Sequence, residues 1–509
     1  MDGICLTDLE EPESGLEEAQ KSENIRDKES KDTVVGITFG DVGITSLKCN
    51  VCRPIDKGEY VMMAHPTADL VLGQVESVER KTNVSAEMAM ELSMGEDVEI
   101  EETVIANIKV IGFRDNRSLL KTPGNPFRAG EKIYIAKDKL IKDVLGLKND
   151  DSGAYVGKLR GHDIEVKLNI NTMAQKHLSV LAKTGSGKSY TTGVIIEEMM
   201  KNDVTLVILD PHGEYSSLAK AGSVPENDFG IKPRGYGNLI TEFSPDPEIN
   251  KGAKPLKFSF KNMKPRKILD MIGVNKIKSN VSALEGAMSR LTASKGFFGI
   301  PDVIRLLKEN EEGNSSPIIS GLESLYGKGV FDARGTRMDD IVRKGKTAII
   351  NLKGTEPDVQ AFVVSRLSTA LFELRKRNKI PPMMMFAEEA HNFCPQRGKI
   401  ESSEIFQTIA SEGRKFGLGL GIITQRPAKV DKNVLSQCNT QVILKVTNPN
   451  DLKAIELSVE GLSKEMAEEI QRLSIGEAIV SGGGLSEPLF LEVRPRESQD
   501  GGSSIRVVG

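Results

Sequence analysis

A short apolar stretch running straight into a basic turn set between glycines, LSVLAKTGSGKS at residues 178–189, constrains this 509-residue chain more than any other feature. LSVL reads as a strand, and TTGVIIEEMM at 191–200 has helical spacing, so the turn delivers the chain to a helix N-terminus. Gly185 and Gly187 can take backbone angles closed to other residues, which lets successive N–H groups converge on a phosphate. Lys188 then reaches the β- and γ-phosphates of a nucleotide, and the Ser189 hydroxyl completes a Mg²⁺ shell. The backbone of Lys183, Thr184, Gly185, Ser186 and Gly187, with Tyr190 beside it, forms the rest of the expected binding set. The usual first glycine is Ala182, where a methyl group asks only for an ordinary φ.

Length allows two to four domains. A 39% hydrophobic and 28% charged composition is that of a soluble globular protein, no apolar run nears membrane-spanning length, and the N-terminus lacks a signal-peptide layout. A cytoplasmic protein without a membrane partner is the expectation. The five scattered cysteines argue against a disulfide framework. Cys49 and Cys52 lie three apart in CNVC, which on a strand points them to opposite faces, so core packing is expected rather than a metal site. The net charge of −4 misleads: residues 1–32 carry eleven acidic and four basic side chains, leaving the remainder about +3. Composition therefore does not exclude a nucleic-acid partner, although few aromatics leave backbone charge as the main means of contact.

The organisation expected is an acidic disordered tail at 1–32 and a small antiparallel β-barrel at 33–137. Linker and entry strands follow at 138–177. An α/β core with a parallel sheet, of the RecA-like P-loop ATPase class, occupies 178–260 and 346–485, with a helical insertion at 261–345. A C-terminal segment at 486–509 is read as a brace. Core strands are anticipated at VTLVILD (204–210), TAIINLKG (347–354), MMMFAEE (383–389), LGLGIITQ (418–425) and QVILKV (441–446), because near-continuous apolar runs alternating with helices mark a sheet covered on both faces.

Three clusters carry the chemistry. MMMFA ends in Glu388 and Glu389, at the carboxyl edge of the sheet beside the phosphates. Glu388 is expected to hold the Mg²⁺ shell through water, and Glu389 to act as general base on the attacking water. VTLVILDPHGEY places Asp210, His212 and Glu214 at the same edge; Glu214 either assists the metal or caps the next helix, and His212 reads more readily as packing. In SEGRKFGLGLGIITQRP, Gln425 stands just past a strand, where an amide can contact the γ-phosphate. Arg414 precedes that strand and reads either as an arginine reaching a neighbouring subunit's γ-phosphate or as a structural ion pair, while Arg426 has a weaker claim.

AKTGSGKS (182–189), DPHGEY (210–215), FAEEAHNF (386–393) and EGRKFGLGLGIITQRP (412–427) together resemble the archaeal HerA family, ring translocases grouped with FtsK. The resemblance covers nearly everything except the acidic tail. It implies Lys188 and Ser189 for phosphate and metal, Glu389 as base, Arg414 as a finger acting in trans, and Gln425 as sensor. By position it also brings Lys176 and Glu492–Val493 toward the nucleotide, although Lys176 stands where arginine is common and the C-terminal run could instead brace an adjacent protomer. A homo-hexamer moving double-stranded DNA with ATP and Mg²⁺, in end resection with a NurA-type nuclease, is what the family implies. A conjugation or secretion motor of the same superfamily and an ATP-gated nuclease-docking platform are the competing readings.

Overall fold

The computed structural model describes residues 34–147, 153–309, 315–459 and 461–502, so the expected acidic tail lies outside the described residues. The chain divides into two units, Met1–Gly146 and Leu147–Gly509.

In the first unit six strands, Val34–Phe39, Ser46–Val51, Tyr60–His65, Asp69–Thr82, Glu102–Arg114 and Lys132–Ile135, form a closed antiparallel barrel. Closure comes from Ser46–Val51, which pairs with Val34–Phe39 on one side and Glu102–Arg114 on the other. A closed sheet has no free edge to recruit another chain. The two-residue period is plain in SLKCNV, where Leu47 and Cys49 face inward and Ser46, Lys48 and Asn50 face solvent. Burial pushes the Cys49 thiol up to about 12, and Cys52 is exposed. No His, Cys, Asp and Glu group suited to a metal ion occurs among the described residues. Helix Asp138–Leu145 buries Ile141, Val144 and Leu145, and Arg114 Nη2 donates to Val144 O at 2.8 Å, so this helix belongs to the barrel unit rather than to a linker.

The second unit is built on a twelve-stranded sheet. Eight parallel strands run in the order Lys254–Pro255, Ile240–Ser244, Thr347–Asn351, Thr205–Asp210, Met383–Ala387, Leu418–Thr424, Leu178–Leu181 and Thr440–Ile443. Four antiparallel strands, Glu477–Ser481, Leu489–Val493, Gly153–Leu159 and Glu165–Asn169, extend it, so the residues read as entry strands and brace include a sheet edge. The strands Leu178–Leu181, Thr205–Asp210, Thr347–Asn351, Met383–Ala387 and Leu418–Thr424 are buried at every residue, which explains their unbroken apolar character. Helices Pro265–Met271, Lys278–Ser294, Ile300–Glu309 and Ser316–Gly327 fill the 261–345 region, and Ile268, Leu284, Ile300 and Leu322 share one apolar core with Val207, Ile350 and Met385. All the parallel strands release their loops at one edge, after Leu181, Asp210, Ala387 and Thr424. The chain enters those strands at the opposite edge, past His177 and Gly417.

Candidate active site

At the exit edge, Gly185 and Gly187 adopt φ of 77° and 93°, and Gly187 caps helix Lys188–Lys201. A side chain at either position would cost about 1–2 kcal/mol of backbone strain. Ala182 is fully buried and has no positive φ, so the methyl group is accommodated. The loop is pinned from both flanking strands: Ala182 N–H donates to Thr424 O at 3.3 Å and Lys183 N–H to Lys445 O at 2.8 Å. Ser186 Oγ donates to Lys183 O at 2.7 Å, and Thr184 Oγ1 hydrogen-bonds Gln425 Oε1, bringing Gln425 onto the loop.

Lys188 is 9% exposed, and its ammonium contacts Glu388 Oε1 and lies 3.2 Å from Glu389 Oε1. Glu388 is fully buried, and Tyr215 Oη donates to its second oxygen at 2.6 Å. Glu389 sits in the left-handed region at φ 50°, ψ 47°, a strained geometry for a non-glycine residue and one concentrated at functional positions. Its Oε2 is buried and makes no hydrogen bond, although His391 Nδ1 is 3.2 Å away. That nitrogen instead hydrogen-bonds Thr424 Oγ1 at 3.1 Å. Burial acts to raise the Glu389 carboxyl, but the His391 and Lys188 neighbours outweigh it and hold the group below its ordinary value. A carboxylate kept ionised, with one oxygen uncommitted, can accept a proton from water.

Asp210 plays a different part. One oxygen accepts N–H groups from His212 (3.2 Å) and Gly213 (2.8 Å), and the other accepts from Tyr215 (2.9 Å). Complete burial nonetheless raises its pKa, the backbone donors opposing. The structure thus commits Asp210 to shaping the turn that presents Glu214 and Tyr215, not to the phosphates. His212 is exposed, and Glu214 Oε2 is buried with no partner. A Cβ placed on Gly502 would lie 3.8 Å from Ser189 Cβ and 4.0 Å from Glu214 Oε2, so Ser189, Glu214 and the end of the described chain meet at one spot. A hydroxyl and an orphaned carboxylate oxygen beside a phosphate loop suit a hard, oxygen-seeking cation. A Mg²⁺ ion would fit Ser189 and Glu214 there, whereas both oxygens of Glu388 are engaged by Lys188 and Tyr215.

Lys176 and Arg414 lie elsewhere. Lys176 ends helix Ile170–Lys176 and Arg414 lies in the last turn of helix Ser403–Phe416, both before strands that enter the sheet, so both stand at the edge opposite the phosphate loop. They line one cavity there, are exposed, and have no ion-pair partner among the described residues. Between them His177 is locked: Nε2 is 3.0 Å from Ala410 O, and Nδ1 accepts Leu420 N–H at 2.9 Å. Burial depresses its pKa to about 4, the Ala410 hydrogen bond acting to raise it and the Arg414 charge to lower it further. Glu492 and Val493 are on Leu489–Val493, three strands from Leu178–Leu181, or about 14 Å at normal strand spacing, and the structure does not bring them to Lys188.

The expected brace at 486–509 has an adjacent protomer as one possible target. It packs on its own chain. Arg494, fully buried, donates from Nη2 to Glu197 (3.1 Å) and Glu198 (2.7 Å) on the phosphate-loop helix. The Arg496 guanidinium lies over Gly193, where a Cβ would come within 2.7 Å of it, and Arg496 N–H donates to Tyr190 Oη at 2.8 Å. Sequence reasoning passed over Tyr215, Thr424 and these arginines. The DPHGEY turn signalled Tyr215; for the arginines the signal was the paired RPR directly after the apolar run LFLEV.

Comparison with known proteins follows the same lines. The family model described as "Helicase HerA, central domain" matches residues 154–371, and "Helicase HerA-like C-terminal" matches 358–487. "Probable helicase MJ1565" of Methanocaldococcus jannaschii is 29% identical over 93% of each chain. "DNA double-strand break repair helicase HerA" of Pyrococcus furiosus is 27% identical over 90% of this chain and 92% of its own. The bacterial conjugative coupling protein TrwBdeltaN70 aligns over 72% of this chain and 94% of its own at 14% identity, but with a TM-score of 0.48 that likeness carries no argument about role. With two models of one family spanning 154–487, well over half of the sequence, the chain belongs to the HerA helicase family.

Proposed function

We propose that this protein is an ATP-driven DNA translocase and helicase that works as a homo-hexameric ring on double-stranded DNA, with a NurA-type nuclease in double-strand-break end resection. The observation that carries the reading is the separation of the machinery: Lys188, Glu388 and Glu389 at one edge of the sheet, Arg414 and Lys176 at the other. Within one chain the arginine cannot reach the phosphates its own loop binds. A second copy, presenting its entry edge to the first copy's exit edge, supplies it, which is the arrangement a ring repeats.

The residues then divide the work. Lys188 is shared between two buried acids, Glu388 and Glu389, and is the group that must leave them to meet phosphate oxygens. Mg²⁺, when bound, would be held at Ser189, with Glu388 acting through water, and would offset charge on phosphate oxygens. Lys188 turns from the acids to the β- and γ-phosphates, Glu389 takes a proton from the attacking water, and Gln425, already on the loop through Thr184, responds to the γ-phosphate. Arg414 of the adjoining copy offsets charge in the transition state, worth about 10³–10⁵ in rate.

The test is ATP hydrolysis by protein of measured solution mass, with and without linear duplex DNA. Stimulation by DNA of a ring-sized species supports the reading. Hydrolysis by a species that neither binds DNA nor responds to it removes the DNA half.

A further inference from the structure

Charge is unevenly spread along the second unit. Residues 251–295 hold eleven basic and two acidic side chains, a surplus of nine in a chain whose net charge is −4. The run covers the edge strand Lys254–Pro255 and the first two helices of the insertion, Pro265–Met271 and Lys278–Ser294. Some of these cations are engaged within the fold. Lys267, Lys276 and Lys295 pair with Glu401, Asp270 and Asp302, and Lys257 and Lys261 donate to Pro245 O and Gly296 O at 2.9 Å. Lys251, Lys254, Lys264, Arg266 and Lys278 are exposed and have no ion-pair partner among the described residues. Such a surface repels itself, and a polyanion docked on it relieves the repulsion.

Helix Lys278–Ser294 gives the charge a face. Leu284, Ala287, Met288 and Leu291 bury its inner side. Lys278, Ser282, Gly286 and Arg290, four residues apart, share the outer side with Ser279 and Ser289, and all are exposed. From Lys278 to Arg290 this face runs about 18 Å at the helical rise. Lys264 and Arg266 stand at its far end, because the Lys261 bond to Gly296 O draws the start of Pro265–Met271 against the end of Lys278–Ser294. Nothing inside the chain asks for glycine at 286: its φ is not positive, and an added Cβ would meet nothing within 4 Å. Glycine weakens a helix interior; what it offers here is room for another backbone to come close. Serine hydroxyls between cations suit phosphate oxygens, to which both kinds of group donate. Residues 278–295 contain no aromatic side chain, so the face grips by charge and does not stack on bases.

We propose that this outer face, with Lys264 and Arg266 at its end, is a binding site for the phosphate backbone of duplex DNA. The inference rests on the DNA reading above and deepens it by naming where the chain meets that substrate.

Salt titration tests it. A labelled linear duplex is titrated with the full-length protein, as wild type and as the triple variant Lys264→Gln, Arg266→Gln, Lys278→Gln, from about 50 to 200 mM salt. Each lost phosphate contact makes the slope of log affinity against log salt shallower by about 0.9. The expected change is therefore about 2–3 in slope, with about a tenfold or greater loss of affinity near 0.1 M salt. Turnover without DNA and melting temperature should match wild type. Gly286→Glu, whose side chain enters open space, should fold normally and also weaken binding. A control, Lys344→Gln, Arg377→Gln, Lys379→Gln, removes equal charge from exposed positions elsewhere and should leave the slope unchanged. Equal slopes for wild type and the first triple variant overturn the inference and leave the DNA reading standing. An equal loss in the control also overturns it, since the effect is then one of net charge. Wild-type protein that fails to bind the duplex across this salt range removes the DNA reading itself.

Discussion

The two edges of the ATPase sheet are built on opposite plans. At the exit edge the polar groups largely satisfy one another: Lys188 spans two acids, Tyr215 holds Glu388, and Thr184 holds Gln425. At the entry edge Lys176 and Arg414 line a cavity that Glu487 also lines, and neither cation has an ion-pair partner among the described residues. The exit edge keeps single carboxylate oxygens of Glu214 and Glu389 unpartnered within an otherwise paired cluster, whereas the two entry-edge cations stand without an ion pair. On the proposed reading, the two edges are two half-sites that only an assembly of copies would bring together.

Arg414→Ala should break the comparison most sharply. Turnover is expected to fall about 10³–10⁵-fold with ATP binding largely kept, because the lost charge acts in the transition state. A loss under tenfold in steady-state kinetics would demote the entry edge to ordinary surface. Glu389→Gln comes next, with a fall of about 10²–10⁴ in turnover and retained affinity for a fluorescent nucleotide analogue. Loss of binding in place of turnover would make Glu389 structural. Tyr215→Phe keeps the packing but strands Glu388 Oε2 in the interior, so about a tenfold fall in turnover and a lower melting temperature are expected, through roughly 1–3 kcal/mol of lost satisfaction. Unchanged kinetics and melting would show that the acid needs no such support.

The remaining effect bears on stability rather than turnover and concerns the entry edge and pH. His177 titrates near 4 in the folded chain and near 6.5 when unfolded. Between those values the unfolded state binds a proton that the folded state refuses, so stability declines as pH falls through that window and the decline is complete below about 4. His177→Asn should remove about 3 kcal/mol of that dependence. Parallel melting curves for both proteins from pH 7 to 4 would show that the histidine is not the titrating group.

What was legible in the sequence was local. Residues 178–189 spelled out a strand, turn and helix, and the buried strands announced themselves because each is largely apolar. The acid pair was readable because its strand and its chemistry are contiguous. What escaped depends on distant pairing. Ile240–Ser244, with Thr241 and Glu242 among its five residues, reads as loop until Thr347–Asn351 is beside it. Leu489–Val493 becomes a strand only by pairing with Glu477–Ser481 and Gly153–Leu159. Tyr215 meets Glu388 across 173 residues, and no short motif records that contact. Asp210 was assigned to catalysis from its place at a strand end, yet the same place let the following backbone N–H groups claim both of its oxygens.

The central claim is that ATP is cleaved at a seam between two copies. The direct measurement is turnover per chain across a dilution series in which mass in solution is followed at each concentration. The account predicts that turnover per chain falls in step with the loss of rings and is negligible in the monomer. A monomer that hydrolyses ATP at the full per-chain rate would contradict it.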